Sequence, residues 1–169
     1  MESRNVGDFD PGPALETLVR HDVDFVVIGG IAAIILGSSY STSDLDVAYA
    51  RDRANVERLA DALRELGATL RSAPADLPFR VDADTIEAGL NFTFETRGGN
   101  LDIFGEPTGA PAYAELKRRS SVERIDGLDI RVASIDHLIA MKEAAGREKD
   151  RLLAGELRAL SDVLRRRQP

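Results

Sequence analysis

The chain has 169 residues and a mass of 18.4 kDa, enough for one hydrophobic core but short for two, and 43% hydrophobic against 30% charged residues excludes disorder as its general state. Cysteine is absent, which excludes disulfides, thiolate nucleophiles and cysteine-ligated zinc or iron and leaves carboxylates as the plausible metal donors beside only two histidines. The net charge of −7 argues against an anionic partner, but residues 1–112 hold 9 basic and 19 acidic side chains while residues 113–169 hold 13 and 10, either as charge covering exposed helix faces or as an acidic metal-binding pole beside a basic phosphate-binding one.

Met1 to Pro13 reads as a lead-in and Ala14 to Arg20 as a first short helix. The β-branched and aromatic run Val23 to Ile28 predicts a strand that stops at Gly29-Gly30, followed by a helix over Ile31 to Leu36 and a Gly37-Ser38-Ser39 loop. Phe25 to Gly37 is the longest stretch without polar side chains, and it is well short of the roughly 20 residues that span a bilayer. The acidic, proline-containing start is no signal peptide, so a cytoplasmic protein with no membrane partner is expected. Asp44 to Tyr49 predicts a second strand, and Ala54 to Leu66 an amphipathic helix with Val56, Leu59, Leu63 and Leu66 inward, stopped by Gly67. After a connection marked by Pro74 and Pro78, Leu90 to Phe94 and Leu101 to Phe104 predict a hairpin turning around Gly98-Gly99-Asn100. Tyr113 to Arg119 predicts a short basic helix and Leu128 to Val132 a last strand. Ser134 offers an N-cap for a helix over Ile135 to Ala145 that Gly146 ends, and a second helix runs from about Arg147 to Leu164. With no repeat or linker, the order predicts one mixed α/β domain over 1–169, with a core up to about residue 112 and a mostly helical part over 113–169.

Asp44 and Asp46 lie two apart in a predicted strand, so their carboxylates share one face and Leu45 and Val47 the other. Two carboxylates held that close repel, and a divalent cation is one way to keep both ionised; a pair on a solvated strand is the plainer reading. Asp102, between Leu101 and Ile103, could supply a third carboxylate. Gly29-Gly30 is either a tight turn or a place where backbone N–H groups approach a phosphate. Lys142 follows Leu138 and Ile139 by four and three positions, which sets it on the face that packs inward. His137 is expected to pack or cap, and His21 to lie at the surface.

Gly29-Gly30, then Gly37-Ser38, then Thr42-Ser43-Asp44-Leu45-Asp46 resembles the signature of the nucleotidyltransferase superfamily with the polymerase-beta-like fold. The segment Ser134 to Lys142 followed by Ala144 to Asp150 is similar to the branch that contains abortive-infection toxins of type IV toxin–antitoxin systems and mycobacterial transfer-RNA-modifying toxins. The resemblance spans roughly residues 23–164. It implies an α/β fold, a mixed β-sheet with flanking helices and a helical C-terminal part closing over the nucleotide.

By this resemblance Asp44 and Asp46 would bind the catalytic Mg²⁺ ions, two being expected, and Asp102 would serve the incoming hydroxyl as ligand or base. Gly29, Gly30, Ser38 and Thr42 would line the triphosphate of an NTP substrate. Lys142 would neutralise its charge, and Asp150 would orient that lysine or the nucleotide. The implied acceptor is the 3′ end of transfer RNA, the implied role that of a toxin, and the implied partner a cognate antitoxin. A small-molecule or protein acceptor and a non-catalytic nucleotide-binding module are the alternatives. Tyr40 departs from the branch, whose members often carry arginine there. Lys117, Arg118, Arg119 and Arg165 to Arg167 could meet an RNA backbone, whereas 5% aromatics and no tryptophan disfavour base stacking.

Overall fold

The computed structural model describes residues 9–169; the first eight residues of the expected lead-in lie outside the described residues. Along the chain run α1 (Gly12–Arg20), β1 (Phe25–Ile28), α2 (Gly29–Ile35), β2 (Asp44–Tyr49), α3 (Arg53–Glu65), β3 (Thr69–Leu70), α4 (Ala83–Ala88), β4 (Asn91–Thr96), β5 (Gly99–Phe104), α5 (Tyr113–Arg118), β6 (Ser121–Ile125), β7 (Leu128–Val132), α6 (Ile135–Ala145) and α7 (Glu148–Arg166). The strands form one sheet in the order β3-β4-β5-β2-β1-β7-β6. β2 runs parallel to β5, and β1 parallel to β7, while the remaining neighbours are antiparallel. The expected mixed sheet with flanking helices is the observed architecture.

The most apolar runs take the centre of the sheet. Phe25 to Ile28 are all buried, and in β2 the alternation is as the sequence predicts, with Leu45 and Val47 fully buried and Asp44 and Asp46 only partly so. Helix α3 begins where Asp52 accepts from the Asn55 N–H at 3.0 Å, and it lays Val56, Leu59 and Leu63 into the core. Buried Asn55 accepts from the Asp24 N–H and donates to the carbonyls of Asp24 and Ala50, which ties α3 to the start of β1 and the end of β2, neighbours at one end of the pair. Ser134 caps α6 through the His137 N–H at 3.2 Å, and Gly146 ends it in the left-handed conformation at φ 71°. Helices α6 and α7 pack on each other, and α6 also meets α2.

The structure departs from expectation at one hairpin turn and in three added elements. The β4–β5 hairpin turns at Arg97-Gly98, one step before the expected Gly98-Gly99-Asn100, because Thr96 pairs with Gly99. Strand β6 is additional, joined to β7 through Asp126 (φ 47°) and Gly127 (φ 83°), a two-residue turn of the kind that favours Asp-Gly. Residues 113–169 thus contribute two strands to the sheet, one of them beside β1. The short β3 and α4 fill the connection that the sequence leaves open.

Candidate active site

Strands β2 and β5 place the acidic residues. Their register pairs Asp46 with Asp102 and Asp44 with Asn100, so the three expected carboxylates meet at one place on the sheet. Asp102 is 8% exposed, between fully buried Leu101 and Ile103. Asn100 Nδ2 donates to Asp44 Oδ1 at 3.2 Å, and Thr42 Oγ1 receives the Asp44 N–H at 3.4 Å, holding the turn into β2.

The crowding has an electrostatic consequence. Burial, followed by the charges of Asp102 and Asp44, pushes the Asp46 carboxyl up to about 7, with Lys142 pulling the other way. Burial also raises Asp102, and Asp44 adds to this against the opposing pull of Arg71. Carboxylates so placed favour a nearby cation.

The carboxylates open into a cleft of about 430 Å³ between the sheet and α6. Gly29, Gly30 and Thr42 line it, as do Asp44, Asp46, Asp102 and Lys142, and Tyr40, Arg71, Arg147 and Lys149 border it. Gly29 has φ 69°, and a Cβ there would collide with the Asp46 carboxylate. A Cβ on Gly30 would press against Thr42 and Tyr40 at 2.9 and 3.0 Å. Both glycines are therefore required by close packing of the strand end against the acidic site.

On the other wall, Lys142 Nζ lies 3.4 Å from Asp150 Oδ1, and Arg147 Nε lies 2.7 Å from Asp150 Oδ2. Asp150 is 1% exposed. Burial acts to raise its carboxyl, but the hydrogen bond from Arg147 and the charges of Lys142 and Arg147 outweigh it and hold the group below the ordinary range. Asp150 also accepts from the Arg147 N–H at 3.3 Å, so it fixes the start of α7 and the direction of Lys142 together.

Of the residues expected at the site, Gly29, Gly30, Thr42, Asp44, Asp46, Asp102 and Lys142 line the cleft, and Asp150 stands directly behind Lys142. Ser38 lies outside the lining; its hydroxyl receives the Tyr40 N–H at 3.1 Å, closing the loop after α2. Tyr40 is at the cleft. Lys117, Arg118 and Arg119 form ion pairs with Asp24, Glu115 and Asp136. Helix α2 spans only seven residues. Arg71 is a cleft residue that sequence patterning does not reveal: it follows a two-residue strand, and its partner Asp102 is 31 positions away. Arg147 likewise reaches the cleft from a helix N-cap.

Oxygen donors on adjacent strands, with Asp46 and Asp102 raised in pKa first by burial and then by neighbouring carboxylate charge, suit a hard divalent cation. Among the described residues no group of three or more acidic, histidine or cysteine side chains is arranged to hold a metal ion as it stands. Arg71 stands against two of these carboxylates: its Nη2 donates to both Asp102 oxygens at 2.8 and 3.1 Å, and its Nη1 lies 3.7 Å from Asp44 Oδ1.

No family model matches the chain, and no curated protein matches it in sequence. Solved structures do match in shape. The lincosamide antibiotic adenylyltransferase LnuA, in its lincomycin-bound crystal structure, superposes with a TM-score of 0.57 at 14% identity, over 86% of this chain and 92% of that one. An antigenic nucleotidyltransferase-like protein from Paracoccidioides brasiliensis gives 0.56 at 15% identity, over 90% and 73%. The antibiotic-resistance factor ANT(2'')-Ia gives 0.52 at 17% identity, over 92% and 89%. The chain has the nucleotidyltransferase fold. Within that fold, β2 and β5 deliver Asp44, Asp46 and Asp102 to the cleft. No helix among the described residues is long and apolar enough to cross a membrane.

Proposed function

We propose that the chain transfers a nucleotidyl group from an NTP to a hydroxyl acceptor with the help of Mg²⁺. The observation that carries this is the register of β2 on β5, which sets Asp46 beside Asp102 across a cleft from Lys142. Asp44 and Asp46, with Asp102, would hold two Mg²⁺ ions, which when bound offset charge on the phosphoryl oxygens and sharpen the acceptor hydroxyl. Lys142, oriented by Asp150, neutralises the triphosphate. Gly29 and Gly30 let the nucleotide approach the backbone, with Thr42 beside them. Asp102, paired beside Asp46 at the cleft, can accept the proton of the attacking hydroxyl.

For the acceptor we propose the 3′ end of transfer RNA, with the protein acting as a toxin restrained by an antitoxin. Support comes from the resemblance over 134–150 and from Arg147 and Lys149 at the rim of the cleft, where cations favour a polyanion. A second acceptor class is favoured by the structural neighbours: LnuA is an antibiotic adenylyltransferase by name, and ANT(2'')-Ia an antibiotic-resistance factor. A hydroxyl-bearing small molecule is therefore the alternative.

Purified protein incubated with Mg²⁺ and each labelled NTP, offered total transfer RNA in one arm and a panel of hydroxyl-bearing antibiotics that includes lincomycin in the other, separates the two. Label in RNA that vanishes in Asp44→Ala is the expected result. Label in the antibiotic arm alone would replace the acceptor, and labelling unaffected by Asp44→Ala would contradict the proposed site.

A further inference from the structure

Arg71 has an unusual position for a surface-connection residue. Its guanidinium enters the acidic cleft from the segment after β3, forks onto Asp102 through Nη2, and directs Nη1 toward Asp44. That Nη1 is buried and has no hydrogen-bond partner. The donor is therefore enclosed between two carboxylates without completing a bond to the second, as a cation held by charge rather than by a full set of hydrogen bonds.

The anchoring of Arg71 is one-sided. Its backbone N–H donates to the Thr93 carbonyl at 2.9 Å, which fixes the base of the side chain on β4. Beyond it Ser72 adopts φ 62° and the chain runs without regular structure to α4.

We propose that Arg71 is the resident counter-ion of the carboxylate site, standing between Asp44 and Asp102 in the place of a divalent cation and giving up that place when metal enters with nucleotide. This rests on the proposed reading of Asp44, Asp46 and Asp102 as cation ligands. It follows from Coulomb repulsion that one cation there opposes another. Arg71 acts as a positioning residue: it keeps the acidic strands paired before substrate arrives and lowers the affinity of the empty cleft for free metal, so that metal loads with the nucleotide whose phosphates supply further ligands.

The test is nucleotide-free Mn²⁺ binding to the full chain, followed by electron paramagnetic resonance of the free ion, with the Mn²⁺-induced rise in Tm read in parallel. Wild type, Arg71→Ala, Arg71→Gln and Asp46→Asn are compared. Arg71→Gln keeps a longer polar side chain than alanine in case the smaller side chain impairs folding. Removing the guanidinium is expected to tighten Mn²⁺ binding about tenfold and to enlarge the Mn²⁺-induced Tm rise over that of wild type. A guanidinium that serves packing alone would lower the Tm of the variants and leave their Mn²⁺ affinity at or below the wild-type level, and this overturns the proposal. If Asp46→Asn abolishes binding while the Arg71 variants match wild type, only the role of Arg71 falls. If Asp46→Asn binds Mn²⁺ as wild type does, the carboxylate site itself falls, and the inference with it.

Discussion

At the scale of single residues, the acidic site is built by contradiction: Asp46 is placed where its charge is least welcome, beside Asp102 and against the end of β1. Gly29 makes this feasible, since at φ 69° any side chain is strained and its Cβ would strike the Asp46 carboxylate. Gly29→Ala is expected to destabilise the protein by about 1–3 kcal/mol, read as a lower midpoint in urea with unchanged slope. An unchanged midpoint would show that β1 does not approach Asp46 as closely as described. The residues of this site differ in how far the sequence discloses them. Asp44 and Asp46 announce themselves by spacing, and Lys142 by its helical phase. Arg71 carries no periodic signal, because its role arises only when β3, β4 and β5 pair.

At the scale of elements, the site depends on how helices are tied to the central strands. Asp24, just before β1, receives Tyr113 Oη at 2.7 Å and Lys117 Nζ at 2.9 Å, joining α5 to the sheet. Partial burial acts to raise the Asp24 carboxyl, yet the hydrogen bonds from Lys117 and Tyr113 outweigh it and hold the group below its ordinary value of 3.8. A depressed carboxyl contributes stability that is fully present above the unfolded-state pKa and lost as pH falls through the folded-state value. Asp24→Asn should therefore lower Tm at pH 7, and the gap to wild type should narrow below about pH 4. A gap independent of pH across that range would mean that the carboxylate charge is not what binds α5. Element boundaries were legible where caps are explicit, as at Ser134 and Gly146 of α6. Strand β6 has weak alternation of its own, with Val122 exposed at the sheet edge, and the sequence discloses it only through the Asp126-Gly127 turn.

At the scale of the whole molecule, the acidic and basic parts of the chain are not separate bodies. The strand pair β6–β7 joins the sheet through β1, where Val27 pairs with Val132 and accepts the Ala133 N–H at 3.0 Å. Helices α6 and α7 follow from β7, so the wall that carries Lys142 is positioned by the same strand that supports Gly29. Charge asymmetry in the sequence suggested two poles; at the cleft, Asp44, Asp46 and Asp102 come from the acidic part and Lys142, Arg147 and Lys149 from the basic part. Their long-range pairing is what sequence reading cannot supply, because β1 and β7 are separated by about a hundred residues and parallel neighbours leave no local turn signal. Unfolding is expected as one cooperative transition, coincident by far-ultraviolet circular dichroism and calorimetry. Two resolved transitions would contradict a single body.

The central claim, that Asp44, Asp46, Asp102 and Lys142 form a metal–nucleotide site, is tested most directly by equilibrium binding of a non-hydrolysable NTP to the full chain with and without Mg²⁺, before any acceptor is known. The account predicts binding that Mg²⁺ strengthens, that Lys142→Ala weakens at least about tenfold, and that loses its Mg²⁺ dependence in Asp46→Asn. Nucleotide binding indifferent to Mg²⁺ and to both substitutions, or no binding at all, would contradict it.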